Sequence, residues 1–243
     1  MKHRLVERIR QLIVILIVGT TLNSCGPVIR VVLGVDTTPK WLDTRKDIDK
    51  QANRFGINPN QVYVLDRSSL YASTYNDFRD SLSLIMNADS VDCDKHDLLQ
   101  EALQDDCQPT QFRLYDSTGK EIFQMVGCYI DPIIPMNWNV DGCFNTFPPE
   151  TSVPSLNVHN HNLSFVLSHL ENPITLEDMP ASKYYAVVLW NSIYIRPTKR
   201  LIEAIEEHIG LDREDITMLY LNNHNLEIWS MMSAEERNNI KSP

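Results

Sequence analysis

KYYAVVLWNSIYIRPTKRLIEAIEEHIG, residues 183–210, and ITMLYLN, residues 216–222, decide the fold of this chain. Lys183 to Trp190 is a continuous apolar run, the pattern of a strand buried on both faces. Pro197 stands where a first helical turn tolerates proline, and Leu201, Ile202, Ile205 and Ile209 share one face of a helix that Gly210 ends. Ile216 to Asn222 is a second apolar strand. Strand, helix and strand at this spacing predict a βαβ unit, with two parallel strands and a right-handed crossover.

Working outward, QFRLYD at 111–116 and KEIFQMVG at 120–127 are alternating segments joined by Ser117-Thr118-Gly119, which predicts an antiparallel hairpin. Thr44 to Phe55 reads as a helix: Thr44 caps it with Asp47 three residues on, Ile48, Ala52 and Phe55 share a face, and Gly56 stops it. Gln61 to Asp66 follows as a strand. Asn76 to Met86 and Asp94 to Asp106 are further helices, each starting at an Asn or Asp cap, and Leu163 to Leu170 is a short one. Tyr129 to Leu156 is rich in proline and aromatics. Loops this long are uncommon unless functional or disordered. Its Trp138, Phe144 and Phe147 either cover the core or form a contact surface.

Two pieces of the chain resemble the thioredoxin-like superfamily. QPTQFRLYD at 108–116, followed by Gly119-Lys120-Glu121, looks like the family's cis-proline strand and hairpin, and by that resemblance Pro109 is the cis proline. AVVLWNS at 186–192, followed by Pro197 and its helix, looks like the strand that delivers the family's redox motif. The resemblance implies an α/β fold with a mixed sheet of about four or five strands and helices on both faces. Two departures stand out. The proline hairpin precedes the redox-like strand, so the sheet is either permuted or extended by an added βαβ unit. Where the family places two cysteines, this chain has Tyr194, Ile195, Arg196, Pro197 and Thr198, so no thiol there can attack a disulfide.

The amino terminus carries Lys2, Arg4, Arg8 and Arg10 ahead of an apolar run from Leu12 to Val18. That is a basic region feeding the hydrophobic region of a signal peptide. Leu22-Asn23-Ser24-Cys25 then resembles the lipobox of bacterial lipoproteins, which implies a signal peptide over residues 1–24 and lipidation of Cys25. Residues 25–40 would be the tether and 41–243 a single domain, with 129–156 as its long loop. The alternatives are an uncleaved membrane helix, against which Gly26 and Pro27 argue, and processing without lipidation. The expected address is the cell envelope, membrane-anchored and facing the periplasm or the cell exterior.

Removing residues 1–24 takes away four of the 22 bases and one of the 32 acids, leaving a net charge of −13. Nucleic acid is excluded as a partner, because it demands clustered cations. Besides Cys25 there are Cys93, Cys107, Cys128 and Cys143, an even number that allows three pairings. Proximity favours Cys93 with Cys107 and Cys128 with Cys143, with free thiols as the alternative.

Cys107 lies two residues before Pro109, near where the resemblance would dock a substrate disulfide. Asp105 and Asp106 beside it, and a helix carboxyl end, favour the thiol over the thiolate. His159, His161 and His169 fall short of an assured zinc set, and Asn222 to Asn225 is either a polar turn or a ligand edge at a strand end. No cofactor or metal is expected.

The reading is therefore a membrane-tethered, non-catalytic binding or interaction protein, whose partner is an envelope protein or a small-molecule ligand. The alternative is a thiol-disulfide oxidoreductase using Cys107 or the Cys128/Cys143 pair. A structural envelope role is a third.

Overall fold

A computed structural model describes residues 34–66, 108–127, 137–149, 162–210, 213–233 and 235. Helix α1 (Arg45–Arg54) begins where the sequence predicts: the Thr44 hydroxyl oxygen accepts from Asp47 N at 3.2 Å and donates to the Asp47 carboxylate at 2.6 Å. Gly56, at φ +76°, turns the chain out of the helix into β1 (Val62–Val64). The predicted hairpin is β2 (Gln111–Asp116) and β3 (Glu121–Val126). Asp116 Oδ1 accepts from Thr118 N, Thr118 Oγ1 and Lys120 N at 2.8, 2.6 and 3.1 Å, and this fixes its turn. Gly119 supplies the positive φ of +82° that the turn needs.

Helix α2 (Leu163–Ser168) docks on that turn through Leu163 N to Gly119 O at 2.8 Å and is capped by Asn162. Then come β4 (Tyr184–Trp190), α3 (Ile195–His208), β5 (Ile216–Asn222) and α4 (His224–Met231). Helix α3 starts two residues before Pro197. The stretch from Asn223 onward, read from the sequence as a polar turn or a ligand edge, is the start of α4. The helices predicted at Asn76–Met86 and Asp94–Asp106 lie outside the described residues.

The five strands among the described residues form one mixed sheet in the order β1-β5-β4-β2-β3. β1, β5 and β4 run parallel, and β2 pairs antiparallel with both β4 and β3. The hairpin and the βαβ unit thus share a sheet, an α/β arrangement consistent with the thioredoxin-like fold.

Alternation along the strands divides the core in two. Ala186, Val188 and Trp190 of β4 join Met218 and Tyr220 of β5 beneath α1 and α3, which bring Ile48, Ala52, Leu201, Ile202 and Ile205. Tyr185, Val187 and Leu189 turn the other way, with Leu219 and Leu221, against Leu163, Val166 and Leu167 of α2 and Leu226 of α4. β4 is buried on both sides, as its unbroken apolar run predicts.

Of the two readings of the aromatic loop, two of its three aromatics take the core-covering one. Trp138 and Phe144 are each 1 % exposed and belong to the α3 side of the core, so they present no contact surface. Phe144 meets Phe112 and Phe123 at 5.4 and 5.7 Å between ring centres, and Trp138 Nε1 donates to Pro197 O at 3.2 Å. Asn139 folds the loop back, accepting from Phe144 N at 2.8 Å. Phe147 is half-buried, edge-on to Tyr184 at 5.2 Å, with the Arg213 guanidinium 4.1 Å from its ring centre.

Truncating a buried aromatic removes its transfer energy and leaves a cavity. Trp138→Ala is expected to lower unfolding free energy by roughly 3–5 kcal/mol, read as a fall in urea midpoint at unchanged m-value; a wild-type midpoint would return Trp138 to the surface.

Candidate functional site

The described polar groups converge at the carboxyl-terminal ends of β4 and β5, the edge of a parallel sheet where ligands commonly sit. Asn191, Ser192, Thr198, Asn222, Asn223 and His224 are all buried there. The sequence puts them together because β4 and β5 end in register, Trp190 opposite Asn222, and polar residues follow directly at Asn191-Ser192 and Asn223-His224.

Asn191 organises the β4–α3 corner. Its side-chain oxygen accepts from Ile193 N and Tyr194 N at 3.0 and 2.9 Å, while its amide nitrogen donates to Pro109 O at 3.2 Å and Asn223 Oδ1 at 2.9 Å. Asn223 Nδ2 reaches the same Pro109 carbonyl at 3.0 Å, and Thr198 Oγ1 closes the corner on Asn191 O at 2.9 Å.

Beside it, His224 Nε2 faces Lys40 O at 2.8 Å and Nδ1 faces Ser192 Oγ at 2.9 Å. A carbonyl only accepts, so Nε2 carries the proton and the Ser192 hydroxyl donates to Nδ1. Burial holds His224 below its ordinary pKa, against the Lys40 carbonyl and nearby Asp36, which favour the charged ring. Glu227, one turn into α4, is pushed up to about 7 by burial. Burial, and then Glu227, raises Tyr194.

Hydroxyl, imidazole and carbonyl in that order resemble an activated nucleophile. The surroundings do not complete one. Ser192 and His224 are 8 % and 3 % exposed, and the neighbouring amides that would meet an oxyanion, Ile193 and Tyr194, already bond to Asn191. The arrangement fixes a corner. Trp190 Nε1 and Asn222 Nδ2, in register on the α3 side, are buried donors without an acceptor among the described residues.

The expected cis proline is also corrected. The cis bond among the described residues is Phe147–Pro148, not Gln108–Pro109. Pro109 instead contributes its carbonyl, which the two asparagines grip from above the sheet. Cys143 is a free thiol. Its sulfur bonds weakly to Trp138 O at 3.6 Å, and burial raises its pKa. Cys25, Cys93, Cys107 and Cys128 lie outside the described residues, as do His159 and His161. His169 ends α2, its Nδ1 donating to Phe165 O at 2.7 Å.

Among the described residues no three His, Cys, Asp or Glu are placed to hold a metal ion, and no helix is long and apolar enough to cross a membrane. No family model, curated protein or solved structure matches the chain.

Asn191→Ala would strip the acceptor from the buried Ile193 amide and the part-buried Tyr194 amide, a buried amide costing roughly 1–3 kcal/mol when unsatisfied. A loss of at least about 2 kcal/mol in urea unfolding is expected; a loss below about 0.5 kcal/mol would mean the corner holds itself.

Glu227 also makes stability depend on pH. Its folded pKa of about 7 lies above the ordinary 4.5, so the contribution is complete below 4.5 and lost as pH rises through 7. His224 works oppositely, its contribution present above 6.5 and lost as pH falls. Glu227→Gln should therefore gain stability relative to wild type at pH 8 compared with pH 5, measured by paired urea titrations; parallel curves would refute the assignment.

Proposed function

We propose that the chain is an exported lipoprotein of the cell envelope, a non-catalytic binding domain tethered to a membrane through a lipid on Cys25. The address is supported by the basic and apolar segments ahead of Leu22-Asn23-Ser24-Cys25. The binding reading is carried by the corner after β4. Where the resemblance would present reactive thiols, the Thr198 hydroxyl and the Asn191 side chain hold backbone, buried and satisfied.

Such a corner suits a rigid ledge for recognition better than a turnover site, because its polar atoms are already committed to the loop. The partner would be another envelope protein or a small ligand, and the acidic surface disfavours nucleic acid. The oxidoreductase alternative draws no support from Cys143, since a thiol whose pKa is raised by burial is a poor nucleophile at neutral pH.

Expressed with its own amino terminus in a bacterial host, the chain is expected to take up labelled palmitate and fractionate with membranes, and Cys25→Ala to abolish both. The purified protein should show no cysteine-dependent insulin reduction. Label surviving Cys25→Ala would sink the tether, and turnover lost with Cys107→Ser would install the enzyme reading.

A further inference from the structure

Asn191, Ser192, Asn223 and His224 spend their polar side-chain atoms on the chain itself. The residue before each pair keeps a donor in hand. Trp190, which ends β4, is 0 % exposed, and Asn222, which ends β5 in register with it, is 2 % exposed. Trp190 Nε1 and Asn222 Nδ2 have no hydrogen-bond acceptor among the described residues. Buried N–H groups are rarely left unmade, because each has given up its water.

The two residues share one face of the sheet. Trp190 belongs to the α3 side of the core with Ala186 and Val188, and Asn222 follows Tyr220 of that side by two residues. Neighbouring strands lie about 4.8 Å apart, so residues paired in register stand side by side. Their neighbours are apolar: the Phe55 ring packs T-shaped against Trp190 at 5.8 Å between ring centres, and Val64 of β1 pairs with Asn222 on its other flank. Phe55 and Val64 retain 8 % and 9 % exposure, whereas Ala186 and Val188 retain none, so the donors lie at the rim of the core. This rim is the carboxyl edge of parallel strands, where α/β sheets commonly receive ligands.

The acceptors at these strand ends are already engaged. Trp190 O accepts from Asn223 N at 3.1 Å, Asn222 O from Leu65 N at 3.0 Å, and Asn222 Oδ1 from His224 N at 3.3 Å. A water seated on the two donors would also have to place its own protons. A carbonyl oxygen carries two lone pairs and no proton, the complement of two N–H groups. Charge favours a neutral group, because Asp36 and Glu227 act on His224 and Tyr194 beside these strand ends and would repel a carboxylate. We propose that Trp190 Nε1 and Asn222 Nδ2 form a binding site for a small apolar ligand with a neutral carbonyl group, its oxygen taking both N–H bonds and its apolar body lying against Phe55 and Val64. The inference rests on the binding-domain reading and names its ligand class.

The test is a titration of the nitrogen-15-labelled full chain with cyclopentanone, followed by NMR at the Trp190 indole N–H and the Asn222 side-chain amide. Saturable shifts at both groups are expected, while cyclopentane, which has the ring and no acceptor, should shift neither. Trp190→Phe and Asn222→Asp each remove one donor, and the aspartate keeps an oxygen for His224 N. Each variant should weaken cyclopentanone binding at least about threefold, the worth of one hydrogen bond. Cyclopentane binding as well as the ketone, cyclopentanecarboxylate binding more tightly than the ketone, or variants that bind like the wild type overturn the site.

Should neither variant fold, the wild type decides. A nuclear Overhauser contact between the Trp190 indole proton and cyclopentanone supports the site; a contact with a long-lived internal water that the ketone does not displace, or no contact with either, overturns it. Palmitate labelling and insulin reduction are read without the ketone, so failure of this site is distinguishable from failure of the reading beneath it.

Discussion

Burial of β4 on both faces is the constraint from which the rest of the structure follows. A strand whose side chains are apolar in both directions cannot lie at an edge, so β5 must pair on one side and β2 on the other. It cannot face water either. Helices α1 and α3 and the aromatic loop cover one side, and α2 and α4 the other. Trp138 and Phe144 are drawn inward by the same demand, at the β2–β3 end of that face. Phe112 and Phe123 there are met by Phe144 instead.

Where the apolar run stops, the chemistry changes within one residue. Trp190 ends the core and Asn191 begins a corner in which one side chain satisfies two amides and reaches across the sheet to the carbonyl before β2. An amide side chain suits such a point, since asparagine offers two donors and an acceptor. His224 follows the same logic: kept neutral by burial, it joins a hydroxyl on β4's loop to a carbonyl on the amino-terminal segment. The site is consequently a junction of three chain segments distant in sequence.

That distance explains what was legible in the sequence and what was not. The elements with strong local signals were readable: β4, α3 and β5 from unbroken and 3.6-period apolar patterns, the β2–β3 hairpin from Asp116 to Gly119, and α1 from Thr44 and Gly56. Helix α4 was not, because Asn223-His224-Asn225 carries turn chemistry and no apolar periodicity opens it. Residues 34–42 have no period at all. The grip on Pro109 by Asn191 and Asn223 spans 82 and 114 residues, and a pairing set by tertiary approach leaves no trace in local spacing. The proline pattern at 108–116 located its strand correctly yet misidentified the bond, since a hairpin signal says nothing about the isomer of the peptide ahead of it.

The antiparallel bridge between Val35 and Tyr194 has a mechanical meaning. Load entering the described residues from their amino-terminal side reaches Gly34 first, and Gly34 hangs on the start of α3 by a single carbonyl. The next bond, from Asp36 N to Ile193 O, ties the same segment to the loop three residues beyond β4. A tug on the amino-terminal chain is thus taken up at the β4–α3 corner, where a parallel strand ends and a helix begins.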